Sequence, residues 1–197
     1  MTGANVKLSQ SELELVSDAK IILTKNRIVE KVYLLFGKLA ETFQQINATM
    51  PLSAEVLQPS PKIYKGEQYL QLPYVMLDCP RYFKGEDAFA VRCMFWWGNF
   101  FSITLHLSGV YKEKHAEKIF DALKEKQNSD WHICISKDQW LHHFGKDNYA
   151  LVNTKNLFLQ NFSFIKLAKK ISLHEWDNAE EFFTSTYREM MRMVSDE

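Results

Sequence analysis

The stretch Phe89-Ala90-Val91-Arg92-Cys93-Met94-Phe95-Trp96-Trp97-Gly98-Asn99-Phe100-Phe101-Ser102-Ile103-Thr104-Leu105-His106-Leu107 decides the fold. Its residues are β-branched, aromatic or otherwise suited to a pleated, half-buried surface, and Gly98-Asn99 interrupts them as a turn. The side chains also argue the length of that turn. A two-residue loop would pair Trp97 with Phe100 and mix polar with apolar residues on each face. A three-residue loop, Trp97 to Asn99, pairs Trp96 with Phe100 and separates them. The odd-numbered face then reads Phe89, Val91, Cys93, Phe95, Phe101, Ile103, Leu105, Leu107. The even-numbered face reads Ala90, Arg92, Met94, Trp96, Phe100, Ser102, Thr104, His106. A one-residue slip would reverse every side chain, so this segregation selects the three-residue loop, with Gly98 or Asn99 at positive φ.

Upstream, Gln68 to Cys79 has strand composition but contains Pro73, which cannot donate to a ladder. This predicts an edge or bulged strand, closed by Pro80. The N-terminal region, about residues 9–48, reads as helical. Ser9 and Glu12 have capping-box spacing, and apolar residues recur at Leu15, Val16, Ala19, Ile22 and Leu23. After a weak interruption at Thr24-Lys25-Asn26 the stripe resumes from Ile28 to Ile46. Downstream, the pattern predicts a helix over Lys112–Lys126 and a strand over Trp131–Ile135. Ser136 and Gln139 then have the spacing of a capped short helix, with Gly145 as its stop. Asn148 to Gln160 carries no clear period, and Phe162 to Leu173 reads as a strand. A C-terminal helix over about 177–195, capped by Asp177, has an apolar stripe of Phe183, Tyr187, Met190, Met191 and Val194, with Met193 off it.

These readings add up to an α+β fold. One antiparallel sheet of about four to six strands, an ordinary sheet size, carries the N- and C-terminal helices on one face. The chain has 197 residues, which suits one domain over 1–197 with its sheet and helices at about 66–175. Its 14 Phe, 8 Tyr and 5 Trp are enough to fill a core. Lys plus Arg and Asp plus Glu both number 24, which gives no support to binding nucleic acid or an anionic membrane. Cys79, Cys93 and Cys134 are odd in number and widely spaced, as expected of free thiols in a cytoplasmic protein. The N-terminus shows no signal-peptide core, and no apolar run approaches a membrane span.

The even face of the hairpin is the best pointer to a site. Arg92 lies across from Thr104, and His106 across from Ala90. Arg92 presents a fork suited to a carboxylate or phosphate, and aromatic side chains flank it. His106 is a candidate proton-transfer group, with Asp78 as a second candidate if it falls on the same face. Three readings follow. One is a binding module whose ligand, small and anionic or aromatic, meets Arg92, Trp96, Ser102, Thr104 and His106. Another is an enzyme using His106 as acid or base, with Arg92 orienting an anion. The third is an interaction or scaffold protein, acting as a homo-oligomer or with a foreign partner. Plain packing or solvent exposure of the face is the more ordinary account.

Other features carry less. His142-His143 point about 100° apart on a helix and do not make a metal site. Cys79, beside Pro80-Arg81, is the one thiol with a cation near it. Lys166, Lys169 and Lys170 read as a solvated strand face. No phosphate loop, catalytic-elbow or zinc motif is present, so no cofactor or metal is expected.

Overall fold

A computed structural model describes residues 6–125, 130–153 and 163–195. Its centre is the hairpin formed by β3 (Asp87–Trp96) and β4 (Phe100–Ser108). Trp96 faces Phe100, Arg92 faces Thr104 and Ala90 faces His106, which is the register of the three-residue loop. Gly98 supplies the positive φ, at 72°. The described residues form a seven-stranded antiparallel sheet. Its remaining strands are β1 (Lys62–Tyr69), β2 (Leu72–Lys84), β5 (His132–Cys134), β6 (Tyr149–Leu151) and β7 (Phe164–Ser172). The order is β1-β2-β3-β4-β7-β5-β6.

Seven strands exceed the expected four to six. β1 is separate from β2 and is reached through Leu70 and Gln71, both at positive φ (48° and 66°). Such a turn usually announces itself through Asn or Gly; without them it escapes a reading of the sequence. Pro73 does not mark an edge strand, because β2 is flanked by β1 and β3. The bulge it demands lies opposite, where β1 gains one residue between Gly66 and Tyr69. Pro80 does not close the strand either. It falls at a register shift between Asp78 and Arg81, and β2 continues to Lys84.

The odd face of the hairpin is the floor of the main core. Three helices cover it: α2 (Ala19–Asn47), α4 (Gly109–Glu125) and α5 (Ala179–Val194). Val32, Phe36, Leu39 and Phe43 of α2 and Phe183, Tyr187, Met190 and Val194 of α5 repeat at helical spacing and are fully buried. Each such side chain contributes about 1.5–3 kcal/mol by leaving water. Phe43 stacks on Tyr187 with ring centroids 3.7 Å apart, and the Tyr187 hydroxyl donates to Asn47 Oδ1 at 2.5 Å. Met193 is buried too, at 3% exposure, so the stripe of α5 is broader than its spacing implies.

The helix ends refine the boundaries. Ser9 and Glu12 form the expected capping box and open α1 (Gln10–Ser17). The break between α1 and α2 falls at Asp18, whose φ and ψ are extended, and not at Thr24-Lys25-Asn26. A short helix, α3 (Ala54–Leu57), follows α2. Asp177 does not cap the last helix. Ser172 and Glu175 cap a 3-10 segment, Leu173–Asn178, that runs into α5. No described helix is long and apolar enough to cross a membrane. Of the unread stretch Asn148 to Gln160, Tyr149–Leu151 forms β6, and residues 154–160 lie outside the described residues.

Candidate functional site

The even face of the sheet is a polar layer roofed by the segment 136–148. Strand alternation puts its side chains in rows across the sheet. One row runs Asp78, Arg92, Thr104, Ala168 and His132; the next holds Ala90, His106 and Lys166. Arg92, Trp96, Ser102, Thr104 and His106 all lie on this face and all are buried. The roof is not a helix. Ser136 Oγ accepts from the Asp138 N–H and Asp138 Oδ1 from the Trp140 N–H, so successive side-chain turns replace the helix expected there.

Arg92 is held through Nε and Nη2. Its Nε donates to Asp78 Oδ1 at 2.9 Å, and its Nη2 to Asp78 Oδ2 at 3.2 Å and to the Tyr64 hydroxyl at 3.0 Å. The guanidinium lies 5.5 Å from the Phe83 ring and 5.7 Å from the Trp140 ring. Burial works against its charge, but the hydrogen bond and field of Asp78 hold its pKa above the ordinary value. Burial, reinforced by Asp78, pushes the Tyr64 hydroxyl up to about 12. Asp78 is thus on the face, as its candidacy required, but its hydrogen-bond partners are Arg92 and Tyr64.

His106 takes a different partner. Its Nε2 lies 2.8 Å from Gln139 Oε1, so Nε2 carries the proton and Nδ1 is bare. That Nδ1 is buried and has no hydrogen-bond partner among the described residues. The ring sits between Trp140, Phe83 and Phe164 at centroid distances of 5.5 to 6.1 Å. Burial pushes its pKa down to about 3, with Lys166 and Arg92 adding to the effect against Gln139. The imidazole is neutral at pH 7.

Lys166, directly across from His106 on β7, is 1% exposed. Its ammonium donates to the Leu141 carbonyl and lies 5.3 Å from the Tyr149 ring. Among the described residues no carboxylate forms an ion pair with it. Burial lowers its pKa to about 8. His142, on the roof, is also held well below its ordinary pKa, by burial and then by Lys166 and Arg92. The layer therefore brings together two cations and two neutral imidazoles against one fully buried carboxylate.

The roof is tied down at its far side. The Tyr69 hydroxyl, at the tip of β1, accepts from the backbone N–H of His142 at 2.6 Å and of His143 at 3.0 Å. It lies 3.1 Å from His143 Nδ1, and His143 Nε2 is 3.2 Å from Asp147. Trp96 packs edge-on against Tyr69 and Phe100, its Nε1 buried without a hydrogen-bond partner among the described residues. Beside the roof, Gln139 forms part of the wall of a cavity of about 400 Å³ that also touches Ser108, Gly109, Lys112, Glu86 and Ser163.

Several expectations change. Lys166 is not part of a solvated face: strand parity places it with Phe164 and Ala168 in the buried layer. Lys169 pairs with Asp130 at 2.9 Å, and Lys170 lies over the Phe100 and Phe144 rings. Cys79 is buried, and burial raises its thiol to about 12, so it is a poor nucleophile beside Arg81. Cys93 and Cys134 are buried free thiols as well. Gln139, Tyr64 and Lys166 were missed as members of the layer. The one available signal was the parity of β7, which matches Lys166 to His106. No group of three potential metal ligands occurs among the described residues. No protein-family model, curated protein or solved structure matches the chain.

Proposed function

We propose that the protein is a cytoplasmic binding module, and that its ligand is a small anion of the carboxylate or phosphate class held between the sheet and the roof segment 136–148. The single observation behind this reading is the Lys166 ammonium, buried beside His106 with one carbonyl as its hydrogen-bond acceptor. Burying an ammonium without a paired anion is costly, and an arriving anion removes that cost. Arg92, neutralised by Asp78, orients the layer and adds donors. Ser102 and Thr104 lie on the same face. Gln139 separates His106 from the adjoining cavity, so a shift of the roof at Gln139 is the entry route. Three buried free thiols support the cytoplasmic assignment.

A second reading, an enzyme with His106 as general base, has one observation in its favour: the bare Nδ1, without a hydrogen-bond partner among the described residues. Asp78 does not assist it, being held by Arg92.

The test is a calorimetric titration with inorganic phosphate and with a short dicarboxylate, on the wild-type chain and on Lys166→Met. Millimolar or tighter binding that Lys166→Met abolishes is the expected result. Equal binding by both proteins, or by neither, overturns the proposal.

A further inference from the structure

Residues 6–24 are exposed without exception. They include Val6, Leu8, Leu15, Val16, Ile22 and Leu23, each more than half exposed. Scattered exposed apolar residues are normal, but a contiguous run of them along one arm marks an interaction surface. The arm comprises α1 and the first turns of α2; α2 meets the rest of the fold only from about Lys25, which pairs with Glu67 at 2.5 Å.

Within the two helices of the arm the charges are segregated, with Lys7 lying ahead of α1. From Gln10 to Asp18 they are Glu12, Glu14 and Asp18, with no Lys or Arg. From Ala19 to Val29 they are Lys20, Lys25 and Arg27, with no Asp or Glu; Lys25 is already paired with Glu67, which leaves Lys20 and Arg27. A helix cannot lie back along its own neighbour here, because Asp18 alone joins α1 to α2. An antiparallel helix pair needs a loop of two to five residues. The basic start of α2 therefore cannot fold back onto the α1 of its own chain.

We propose that this arm is a self-association device. The acidic α1 of one copy lies antiparallel along the basic start of α2 of a second copy, and the reciprocal contact forms across a two-fold axis near Asp18. A two-fold contact must be self-complementary, and the antiparallel arrangement sets acid on base twice. A parallel arrangement would set like charges together. Antiparallel placement also carries Val6 and Leu8 of the second copy toward a surface groove of about 630 Å³ lined by Asn26, Val29, Glu30, Tyr33, Leu34 and Lys65. Leu34, 75% exposed, stands at its rim.

The experiment is sedimentation equilibrium on the full chain and on two charge-reversed variants. One carries Glu14→Lys with Ser17→Lys, which leaves the Ser9–Glu12 capping box intact; the other carries Lys20→Glu with Arg27→Glu. All four residues are exposed, and circular dichroism checks that the variants fold. The wild-type chain is expected to be a dimer. Each variant alone is expected to dimerise about tenfold or more weakly, since like charges now face each other. An equimolar mixture of the two restores dimers, because every acid meets a base again. A strict monomer at high concentration overturns the proposal. So do variants that dimerise as the wild type does, and a mixture that forms no heterodimer.

Discussion

Replacing Lys166 with methionine tests the electrostatics of the polar layer most directly. The lysine pKa falls from its ordinary 10.5 to about 8 because the ammonium is buried. At 1.36 kcal/mol for each pH unit, the charged form destabilises the fold by about 3 kcal/mol. The sign follows from proton binding. Between pH 8 and 10.5 the unfolded chain holds this proton and the folded chain releases it, so stability rises with pH across that window. Below pH 8 the penalty is fully present. Methionine keeps the volume of the stem and removes the charge, but it orphans the Leu141 carbonyl, at about 1–2 kcal/mol. Lys166→Met is therefore expected to be about 1–2 kcal/mol more stable than wild type at pH 7. By pH 10.5 that advantage should have fallen by about 3 kcal/mol and reversed. Urea unfolding of both proteins at pH 7, 8.5 and 10.5 measures the difference, and the titration of other groups cancels between them. A difference that moves by less than about 1 kcal/mol over this range refutes a buried, unpaired ammonium.

Two further outcomes follow from the same layer. His106, with its pKa pushed to about 3 from an ordinary 6.5, must release its proton to fold. The unfolded chain binds more protons between these values, so stability is intact above pH 6.5 and is lost as pH falls toward 3. At pH 5 the loss from this group is about 2 kcal/mol. Thermal unfolding at pH 7 and 5 should show a smaller drop for His106→Leu than for wild type; equal drops contradict the burial argument. Asp78→Leu leaves the Arg92 guanidinium buried and unpaired, which costs about 3–5 kcal/mol. The double variant with Arg92→Met should recover much of that loss in denaturant unfolding, and strictly additive costs would show that the pair is not coupled.

The hairpin was legible because its two faces differ in chemistry. With Phe89 to Leu107 alternating at period two, one register separates polar from apolar residues, and the structure adopts it. The helices over the odd face were legible for the same kind of reason. The roof was not. Ser136 and Gln139 have a spacing that serves a helix N-terminus, yet Gln139 reaches His106 instead. Turns built from single side-chain bonds leave no periodic trace. Lys166 was misplaced because a lysine on a strand ordinarily marks solvent. Only its pairing with β4, 60 residues away in the chain (106 to 166), reveals what it faces. Arg92 and Asp78 were both named as candidates, but which group Asp78 would serve depended on the β2 register near Pro80.

The Tyr69 hydroxyl has a use that its packing does not suggest. It shields the amide hydrogens of His142 and His143 with a phenol from a distant hairpin, not with the peptide ladder that protects the sheet. Their exchange with solvent deuterium therefore follows the seating of Tyr69 at the end of β1 and not the opening of the β3–β4 ladder. These two amides form a gauge built into the chain: their exchange rate reports how often the roof and the end of β1 part, while the β3 and β4 amides report whether the sheet beneath has stayed whole.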